Sequence, residues 1–486
     1  MCLQNMKRFT SIALSACLCL ALAGCKTDDK TTTAATETTT VATAETTTAP
    51  AVTTEATTAS VTTTETTTAA PTTAAPTTAA PTTAAPTTAA PLPEDPMYKI
   101  PEDTSVKISD LASKYGFTFG GCIGNGEMNN AGYKSMIADN FASVTATNEL
   151  KAYSLLNQAE SKKNADGMPG MYFGNADKIV KWAQENGIGV RGHVLVWDAY
   201  MTDWFFREGY DSKGEYVDAE TMKKRLEYYI DAVITHFETE FPGVVYCWDV
   251  VNEAVGDSSS EYAAGDPCHI RTKRNGEDNI FYTRVGKDYI YLSFLYARNT
   301  VEKLGANIKL FYNDYNTFMT AKRNAIIELV KNINSYAKNA DGTDRKLCDG
   351  VGMQGYIGGY GTQSGCMNKG DIENIRLAIV KYAELDVEVH MTEVAVRNYN
   401  GDEETVEKHA RFYADLMNML KDINGDGTLS AHGKFTNFTS WGLCDNPKLP
   451  KNNYSYKMNG PYCGLFNEKY ERKNSFYYVY NVLQND

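Results

Sequence analysis

The chain has 486 residues and a formal net charge of −13 at pH 7, with 43% hydrophobic and 22% charged residues. An acidic balance of this size excludes charge-driven binding to nucleic acid or to an acidic membrane surface. Aromatic residues make up 11% of the chain, and 31 residues are Tyr. Such rings often stack on flat, weakly polar ligands, but composition alone favours the packing of half-buried surface.

The first 25 residues predict a lipoprotein signal peptide. Lys7 and Arg8 precede a short apolar stretch at 12–22, which is typical of a secretory signal and too short for a permanent membrane span. The ending Leu22-Ala-Gly-Cys25 resembles a bacterial lipoprotein box, which implies cleavage before Cys25 and acylation of its thiol. Each buried methylene of an acyl chain contributes about 0.8 kcal/mol to membrane binding. We therefore expect an extracellular, lipid-anchored protein; the alternative is a secreted protein in which Cys25 is accidental.

Residues 26–96 predict a disordered linker. Their composition is reduced to Thr, Ala, Pro and a few Glu, and a Pro-Thr-Thr-Ala-Ala repeat places prolines at 71, 76, 81, 86 and 91. Such a segment cannot bury enough apolar surface to offset the entropy lost on ordering. Extended in a polyproline conformation, at about 3.1 Å per residue, it would reach on the order of 200 Å. Its expected role is to hold a domain at 97–486 away from its anchor.

After the linker, apolar runs that end in polar residues alternate with segments that have apolar residues at helical spacing. The strand candidates are 117–123, 141–147, 189–197, 244–253, 309–316, 350–354, 387–393 and 435–441. The helix candidates are 175–186, 219–237, 289–303, 321–336, 372–385 and 403–420. Alternation without hairpins favours a parallel sheet, and eight repeats favour its closure into an α/β fold of the (β/α)8 TIM barrel type.

A doubly wound open sheet is the rival architecture. It is disfavoured because polar strand ends are spread over most of the eight predicted strands. In addition, the glycine-rich stretch at 120–126 lacks the spacing of a phosphate-binding turn. The domain has about 390 residues, which a barrel accommodates when its loops are enlarged.

In such a barrel the C-terminal strand ends form one cup, where the active site lies. The polar strand-end residues are Asn148, Glu149, Asp198, Asn252, Glu253, Asn313, Asp314, Gln354, Glu393 and Trp441. Two carboxyls in one cup suit cleavage of a glycosidic bond: one protonates the leaving oxygen and the other attacks the anomeric carbon. A separation of about 5–5.5 Å between them would give retention of configuration. Either glutamate alone is as well explained as an ion-pair partner.

Motifs along the whole of this domain resemble glycoside hydrolase family 10, the retaining endo-β-1,4-xylanase family. The matching segments are Thr147-Asn-Glu-Leu-Lys151, Arg191-Gly-His-Val-Leu-Val-Trp197, Asp249-Val-Val-Asn-Glu-Ala254, Val285-Gly-Lys-Asp-Tyr-Ile290, Phe311-Tyr-Asn-Asp-Tyr-Asn316, Gly352-Met-Gln-Gly355, Met391-Thr-Glu393, Trp441-Gly-Leu-Cys-Asp445, Leu465-Phe-Asn467 and the aromatic cluster at 476–478. They cover the chain from about residue 100 to residue 486.

The resemblance implies specific roles for the cup residues. Glu253 would be the acid/base and Glu393 the nucleophile, with Asn252 bonded to the sugar 2-hydroxyl and Gln354 near the nucleophile. The next sugar outward would be held by Asn148 and Lys151, and Trp441 would form an apolar platform under a pyranose ring. The alternative for Trp441 and for Trp197 is that they only pack the mouth of the barrel.

Several positions depart from the family pattern, and they cluster on the glycone side of the cup. They are Thr147 in place of Glu, Asp198 in place of His, Tyr200 in place of Gln, Tyr356 in place of the strand-six His, Ala395 in place of Asp, and the absence of a second Trp shortly after Asp445. These changes bear on the preferred substrate more than on the type of reaction.

The paired change at Tyr356 and Ala395 looks like a compensated exchange. In the family, His and Asp at these positions form a polar chain that fixes the nucleophile, and losing one of them would leave a buried partner unpaired at a cost of about 1–3 kcal/mol. We expect Tyr356 to donate a hydrogen bond to Glu393 instead.

The sequence gives no strong metal signal. Residues 422–427 resemble the start of a calcium loop, but the twelfth position is Gly433 instead of a bidentate Glu, which favours an ordinary turn. His193 and His390 lie in apolar strands and are expected to be hydrogen-bonded core residues rather than ligands. Seven of the 11 cysteines lie beyond the signal peptide, in no C-x-x-C spacing, and their pairing cannot be deduced. No metal or organic cofactor is expected.

These observations predict a monomeric, surface-anchored retaining endo-1,4-β-glycanase, foremost an endo-1,4-β-xylanase that degrades plant cell-wall xylan by double displacement. The first alternative is the same chemistry on another β-glycan or on a decorated oligosaccharide. The second is a catalytically impaired barrel that captures carbohydrate at the cell surface. Neither a nucleic-acid partner nor a membrane contact other than the lipid anchor is expected.

Overall fold

A computed structural model describes residues 95–358, 369–427, 429, 433–449 and 460–485. The predicted signal peptide, the predicted acylation site Cys25, the predicted linker up to residue 94 and Cys366 lie outside these ranges. Within the described ranges, no helix combines the length and the apolar character needed to cross a membrane.

Eight parallel strands close into one barrel. They are β1 (Thr118–Ile123), β2 (Ser143–Ala146), β3 (Gly189–Gly192), β4 (Val245–Asn252), β5 (Lys309–Asp314), β6 (Gly350–Ile357), β7 (Glu388–Val396) and β8 (Phe435–Ser440). Each strand pairs with its neighbours in chain order, and β8 returns to pair with β1, so the sheet has no free edge. The predicted (β/α)8 barrel is therefore confirmed.

A helix follows each strand and covers the outside of the barrel. They are α1 (Ala131–Asn140), α2 (Gly174–Glu185), α3 (Ala219–Glu240), α4 (Tyr289–Leu304), α5 (Thr320–Ser335), α6 (Lys369–Ala383), α7 (Glu403–Ile423) and α8 (Asn474–Gln484). A further helix, Ile108–Ser113, precedes β1. Side chains cap the first turns of α1, α3 and α7. Asn130, Asp218 and Asp402 each accept a hydrogen bond from the backbone N–H of the third residue of the helix.

Short helices, 3₁₀ turns and two-residue strands lie in the loops that connect the main strands and helices. The short helices are Asn125–Met128, Ala152–Leu155, Gln158–Ser161 and Ile280–Arg284, and the 3₁₀ turns are Asp198–Tyr200, Asp203–Phe206 and Glu208–Tyr210. Leu156–Asn157 pairs with Gly170–Met171, and Lys273–Arg274 pairs with Glu277–Asp278. The second strand pair is a hairpin at 273–278 in the long connection between β4 and α4, and it reaches the site described below.

The barrel interior contains a buried polar cluster below the cup. Arg191 of β3 donates two hydrogen bonds to Asp249 of β4, whose carboxylate also lies 2.8 Å from Nδ1 of His193. His390 of β7 lies 3.4 Å from Arg191 Nε and 3.0 Å from the Thr436 hydroxyl. Burial opposes ionisation of Asp249, but Arg191 and His193 outweigh it and lower the pKa of that carboxyl. Both histidines are hydrogen-bonded core residues, as the sequence predicted.

The structure also shows the surroundings of the calcium-like stretch at 422–427 and of the cysteines in the described ranges. Asp426 is ion-paired with Arg376, and the Asn424 amide bonds the backbone carbonyls of Tyr115 and Phe435 at 2.9 and 2.8 Å. These groups are thus engaged in a helix-to-strand turn, and the described residues contain no cluster of three groups able to hold a metal ion. The described ranges contain six cysteines, and Cys247, Cys268, Cys348 and Cys444 among them are free thiols; the other two are Cys122 and Cys463.

Candidate active site

Two glutamates at the C-terminal ends of β4 and β7 adopt a backbone conformation that only glycine takes easily. Glu253 has φ +54° and Glu393 has φ +56°. Register shifts accompany both residues, between Asp249 and Val251 in the β4–β5 pair and between Met391 and Val394 in the β7–β8 pair. Such irregularities change the direction of a strand-end side chain and cluster at functional sites.

Side-chain amides connect the two carboxylates. Nε2 of Gln354 lies 3.2 Å from Oε1 of Glu253 and 3.2 Å from Oδ1 of Asn252. Nδ2 of Asn313 lies 3.0 Å from the same Asn252 oxygen and 3.3 Å from Oε1 of Glu393. The resemblance placed Gln354 beside Glu393; its backbone pairs with Thr392, but its amide donates to Glu253. One hydrogen-bond network therefore joins β4, β5, β6 and β7 around the cup.

The second oxygen of Glu393 receives the hydrogen bond predicted from the sequence. The Tyr356 hydroxyl donates to Oε2 of Glu393 over 2.7 Å. Tyr356 on β6 lies opposite Ala395 on β7 in the strand register, so the two exchanged positions are cross-strand neighbours. The small Ala395 side chain and the long Tyr356 side chain thus form a matched pair.

The ionisation of Glu393 is set by opposing effects. Burial raises the pKa of this carboxyl above its usual value, and repulsion from Glu253 adds to the rise. His193, the Tyr356 hydroxyl and Lys151 act in the opposite direction by stabilising the carboxylate. Because the folded pKa is raised, the carboxylate form is lost as the pH falls through that raised value.

Asn252 presents a donor to the cup. Its Oδ1 accepts from Asn313 and Gln354, while its buried Nδ2 has no hydrogen-bond partner in the described part of the chain. A buried donor without an acceptor is costly, and a ligand that supplies an acceptor removes that cost. Asn252 is therefore oriented to bind a hydroxyl group.

Arg274 contacts the cup, although the sequence analysis did not identify it. Its Nη1 lies 3.0 Å from Oε2 of Glu253, and its Nε and Nη2 donate to the two oxygens of Asp198 at 2.8 and 2.7 Å. Arg274 precedes Asn275-Gly276 in the 273–278 hairpin, where both turn residues have positive φ. An Asn-Gly pair between extended residues is a hairpin signal, and it was the clue available in the sequence.

One side of the cup is aromatic and basic. Lys151 Nζ lies 3.1 Å from Oδ1 of Asn148, 5.0 Å from the centre of the Trp197 ring and 4.2 Å from that of Tyr200. The Trp197 and Tyr200 rings lie 4.4 Å apart, centre to centre, and the Tyr153 ring lies 5.7 Å beyond Tyr200. Asn148, Lys151 and Trp197, all candidates from the sequence, are thus brought together, and Tyr200 and Tyr153 extend their surface.

Some strand-end polar residues have structural partners instead of facing the cup. Glu149 accepts hydrogen bonds from the backbone N–H groups of Asn125 and Asn148. Asp314 is fully buried, with Lys322 Nζ at 2.9 Å and the Tyr312 hydroxyl as partners. Trp441 is only 2% exposed, so little of its ring is available as a platform.

A closed (β/α)8 barrel with two networked glutamates at the ends of β4 and β7 defines a paired-carboxylate glycoside hydrolase. The chain matches the family model of glycosyl hydrolase family 10 over residues 107–482 and belongs to that family.

Three relatives illustrate the similarity. Endo-1,4-β-xylanase A of Thermotoga maritima is 35% identical over 316 residues, which cover 64% of this chain and 25% of that protein. Endo-1,4-β-xylanase B of Paenibacillus barcinonensis is 28% identical over 393 residues, covering 77% of this chain and 98% of that protein. The chain spans 52% of endo-1,4-β-xylanase B of Butyrivibrio fibrisolvens, to which it is 28% identical.

A solved structure shares the same barrel. The CBM22-1 and GH10 modules of Clostridium thermocellum endo-1,4-β-D-xylanase 10B, complexed with xylohexaose, match with a TM-score of 0.65 and 28% identity. The match covers 78% of this chain and 67% of that one.

Proposed function

We propose that this protein is a retaining endo-1,4-β-xylanase that cleaves xylan, with Glu253 as acid/base and Glu393 as nucleophile. The observation that carries the proposal is the single network in which Gln354 and Asn313 join both carboxylates through Asn252. The names of the relatives, which are endo-1,4-β-xylanases, support the substrate class.

In the first half of the proposed reaction, Glu253 transfers its proton to the leaving oxygen. Glu393 attacks the anomeric carbon, the bond between that carbon and the leaving oxygen breaks, and a covalent glycosyl ester forms. In the second half, the Glu253 carboxylate removes a proton from water. The resulting oxygen nucleophile attacks the anomeric carbon, the ester bond breaks, and Glu393 is regenerated as a carboxylate.

The surrounding side chains have complementary tasks in this proposal. Tyr356 and Asn313 each donate to one oxygen of Glu393 and keep it ionised for attack. The Asn252 donor would bind the 2-hydroxyl of the reacting sugar, a contact that strengthens in the oxocarbenium-like transition state. The next sugar outward would lie against Asn148, Lys151 and the face of Trp197.

A different β-glycan or a decorated oligosaccharide is the second candidate substrate. The observation that favours it is the Tyr200 ring, whose centre lies 4.4 Å from that of Trp197 at an interplanar angle of 31°, with Lys151 close to both rings. This surface would change the fit of a sugar beside the reacting one without changing the chemistry.

The reaction is tested by reducing-sugar release from xylan, mixed-linkage glucan and decorated xylo-oligosaccharides. Replacing Glu393→Ala should lower kcat on every substrate that is cleaved by on the order of 10⁴-fold or more, because no nucleophile remains. Glu328→Ala is the matched control, since Glu328 is a half-exposed residue of α5 that pairs with Lys331, and its kcat should be unchanged. Activity retained in Glu393→Ala would refute the mechanism, and binding without release by the unaltered protein would indicate a carbohydrate-capturing barrel.

The lipid anchor remains a proposal that rests on Leu22-Ala-Gly-Cys25 and the Thr/Ala/Pro segment that follows it. In a bacterial host, Cys25→Ala should abolish incorporation of labelled fatty acid and release the enzyme into the medium. A Cys17→Ala variant, altered within the predicted apolar stretch, should remain labelled. Unchanged labelling of Cys25→Ala would exclude acylation at that position.

A further inference from the structure

The hairpin at 273–278 places Arg274 beside Glu253. Asn275 and Gly276 form its turn, with φ +53° and +89°, and a two-residue Asn-Gly loop is a short, well-defined connection between paired strands. Arg274 is the last residue of the strand before the turn, so the strand pairing holds its backbone. Its side chain is 18% exposed, which means that most of it lies within the protein.

Arg274 contacts the backbone and the carboxylate of Glu253 at the same time. Its Nη2 lies 3.0 Å from the backbone carbonyl oxygen of Glu253, and its Nη1 lies 3.0 Å from Oε2. Arg271 Nε also lies 3.1 Å from that carbonyl oxygen, and Glu253 N donates to the Asn313 carbonyl over 2.9 Å. The other carboxylate oxygen accepts from Gln354. Arg274 therefore joins the backbone of Glu253 to its carboxylate through one rigid guanidinium group.

These contacts act on a residue with an unusual backbone conformation. Glu253 has φ +54°, and a residue other than glycine keeps such a conformation where the surrounding contacts hold it. Without Arg274, the carbonyl would keep Arg271 and Oε1 would keep Gln354. Oε2 is then the atom whose position is no longer fixed, so the carboxylate could turn within the cup.

Asp198 holds the same guanidinium from the connection after β3. Arg274 Nε and Nη2 donate to the two oxygens of Asp198, and such a paired contact sets the orientation of the guanidinium plane. The side chain of Asp198 is 7% exposed, so its carboxylate lies largely within the protein beside Arg274. Asp198 is one of the positions that depart from the family pattern, and the hairpin supplies its partner.

We propose that Arg274 is a positioning residue for Glu253, which fixes where the carboxylate lies in the cup, and that Asp198 acts through Arg274 instead of binding the substrate. The inference rests on the proposed role of Glu253 and concerns the placement of that side chain alone. The 273–278 hairpin then contributes to the reaction without contacting the sugar.

The first experiment compares Arg274→Met with the unaltered enzyme on a β-1,4-xylo-oligosaccharide. Misplacement of a catalytic group by about 1 Å lowers the rate by on the order of 100-fold. Because Gln354 still holds one oxygen, kcat and kcat/KM should fall together by about 10- to 100-fold, with KM nearly unchanged. Each protein is assayed at the pH of its own maximum, so that only the placement of Glu253 is compared.

Arg345→Met is the matched control for this substitution. The Arg345 side chain is 20% exposed and is ion-paired with Glu302 at 2.6 Å, so its loss also removes a partly buried ion pair. Arg345 precedes β6 and lies at the end of the barrel opposite the cup. Its kcat should equal that of the unaltered enzyme, and circular dichroism of each variant ensures that folded proteins are compared.

A dinitrophenyl β-xylobioside distinguishes misplacement of Glu253 from general damage to the cup. Its leaving group needs no proton, so formation of the glycosyl ester, measured as the burst of dinitrophenolate, does not require Glu253 as an acid. Arg274→Met should give this burst nearly as fast as the unaltered enzyme. Equal losses on both substrates would overturn the inference, because Arg274 would then support the whole cup. Unchanged kcat on the xylo-oligosaccharide would overturn it as well.

The role of Asp198 is tested by a double-mutant cycle on the xylo-oligosaccharide. Asp198→Asn should lower kcat in the unaltered background by less than Arg274→Met does, because Arg274 keeps its contacts to Glu253. In the Arg274→Met background, Asp198→Asn should lower kcat no further, since the group through which it acts is absent. Losses that multiply would contradict the inference, because Asp198 would then have a separate task such as binding the sugar.

Failure of the inference is separable from failure of the proposed function. Glu253→Ala should be far slower on the xylo-oligosaccharide, but nearly as fast as the unaltered enzyme in the dinitrophenolate burst. If Glu253→Ala slows both substrates equally, the acid role is wrong and the inference falls with it. If Glu253→Ala behaves as expected and Arg274→Met does not, only the role of Arg274 is wrong.

Discussion

At the scale of single residues, each oxygen of Glu253 and Glu393 has its own donor, and the donors differ in charge. Glu393 is held by a phenol and an amide, both neutral, whereas Glu253 is held by an amide and a guanidinium. Neutral donors leave a buried carboxylate available for attack, and a hydrogen bond from a charged donor is roughly twice as strong as one from a neutral donor. The two carboxylates are therefore chemically distinct before any substrate binds.

The role of Tyr356 gives a prediction about the acid limb of the pH profile. Tyr356→Phe removes a hydrogen bond that favours the Glu393 carboxylate, so the pKa of Glu393 should rise further. Because activity requires the carboxylate, the acid limb of kcat/KM should move to higher pH by about one unit, equivalent to about 1.4 kcal/mol.

The control for this change is Tyr382→Phe, which removes a buried hydroxyl bonded to the Thr317 carbonyl at 2.8 Å. That substitution should lower stability without moving the acid limb. A pH profile of Tyr356→Phe that superimposes on that of the unaltered enzyme would show that the hydroxyl does not tune Glu393.

The Nδ2 donor of Asn252, which has no partner in the described ranges, gives a second residue-scale prediction. Asn252→Ala should lower kcat/KM by about 10- to 100-fold, as expected for a lost hydrogen bond worth about 1.5–3 kcal/mol in the transition state. A substrate that lacks the 2-hydroxyl on the reacting sugar should already be slow and should lose little more in the variant. If Asn252→Ala and removal of the 2-hydroxyl lower kcat/KM independently and additively, then Asn252 contacts a group other than that hydroxyl.

At the scale of one strand, β6 is shaped by glycines that leave room for β5 side chains. A Cβ at Gly352 would lie 2.3 Å from Oδ1 of Asn313, and a Cβ at Gly350 would lie 2.0 Å from the Phe311 ring. The two glycines are two residues apart and so face the same side of the strand. One makes room for a network residue and the other for the packed core beneath it.

This difference predicts distinct effects for two equivalent substitutions. Gly352→Ala and Gly350→Ala should each lower the free energy of unfolding by about 1–3 kcal/mol through overpacking. Only Gly352→Ala should also lower kcat in the folded protein, because it displaces the Asn313 amide from Asn252 and Glu393. Urea unfolding and steady-state kinetics measure the two effects, and equal kcat values for the two variants would contradict the assignment.

At the scale of the whole molecule, the first described residues already belong to the barrel domain. Asn481 of α8 donates to the carbonyls of Pro96 and Met97 at 2.8 and 3.1 Å, and the Tyr98 hydroxyl bonds Asp415 of α7. These contacts attach the segment before the first helix to the last two helices.

A chain that begins at Asp95 should therefore keep the thermal midpoint and the kcat/KM on soluble oligosaccharides of the full chain. A chain that begins at Asp103 loses acceptors for the buried Asn481 amide, at a cost of about 1–3 kcal/mol, and its midpoint should be about 2–6 °C lower. Differential scanning calorimetry compares them. A lower midpoint for the Asp95 chain would mean that preceding residues support the barrel.

The barrel could be predicted because its signal is local and repeated. Apolar runs such as 244–253 end in polar residues, and the helix candidates between them have helical spacing, so eight similar units predict closure. The end of β3 differs: it was predicted to continue to residue 197, but the regular strand stops at Gly192, and only single bonds such as Val196 N to the Val250 carbonyl continue the pairing. Helix α1 was not among the candidates, since its apolar residues follow no clear helical pattern.

The sequence by itself determined the parallel barrel, the glutamates at the ends of β4 and β7, and the exchange that pairs Tyr356 with Ala395. The barrel depends on strand periodicity and the glutamates on motifs within a few residues, whereas the exchange was identified from the resemblance to the family pattern. Only the tertiary structure decided that Arg274 contacts Glu253 and Asp198, that the Gln354 amide donates to Glu253, and that Asp314 is buried with Lys322 instead of facing the cup. The physical reason is that a side chain's partners depend on how loops fold over the strand ends and on which way each strand-end residue points, and neither is encoded in local periodicity.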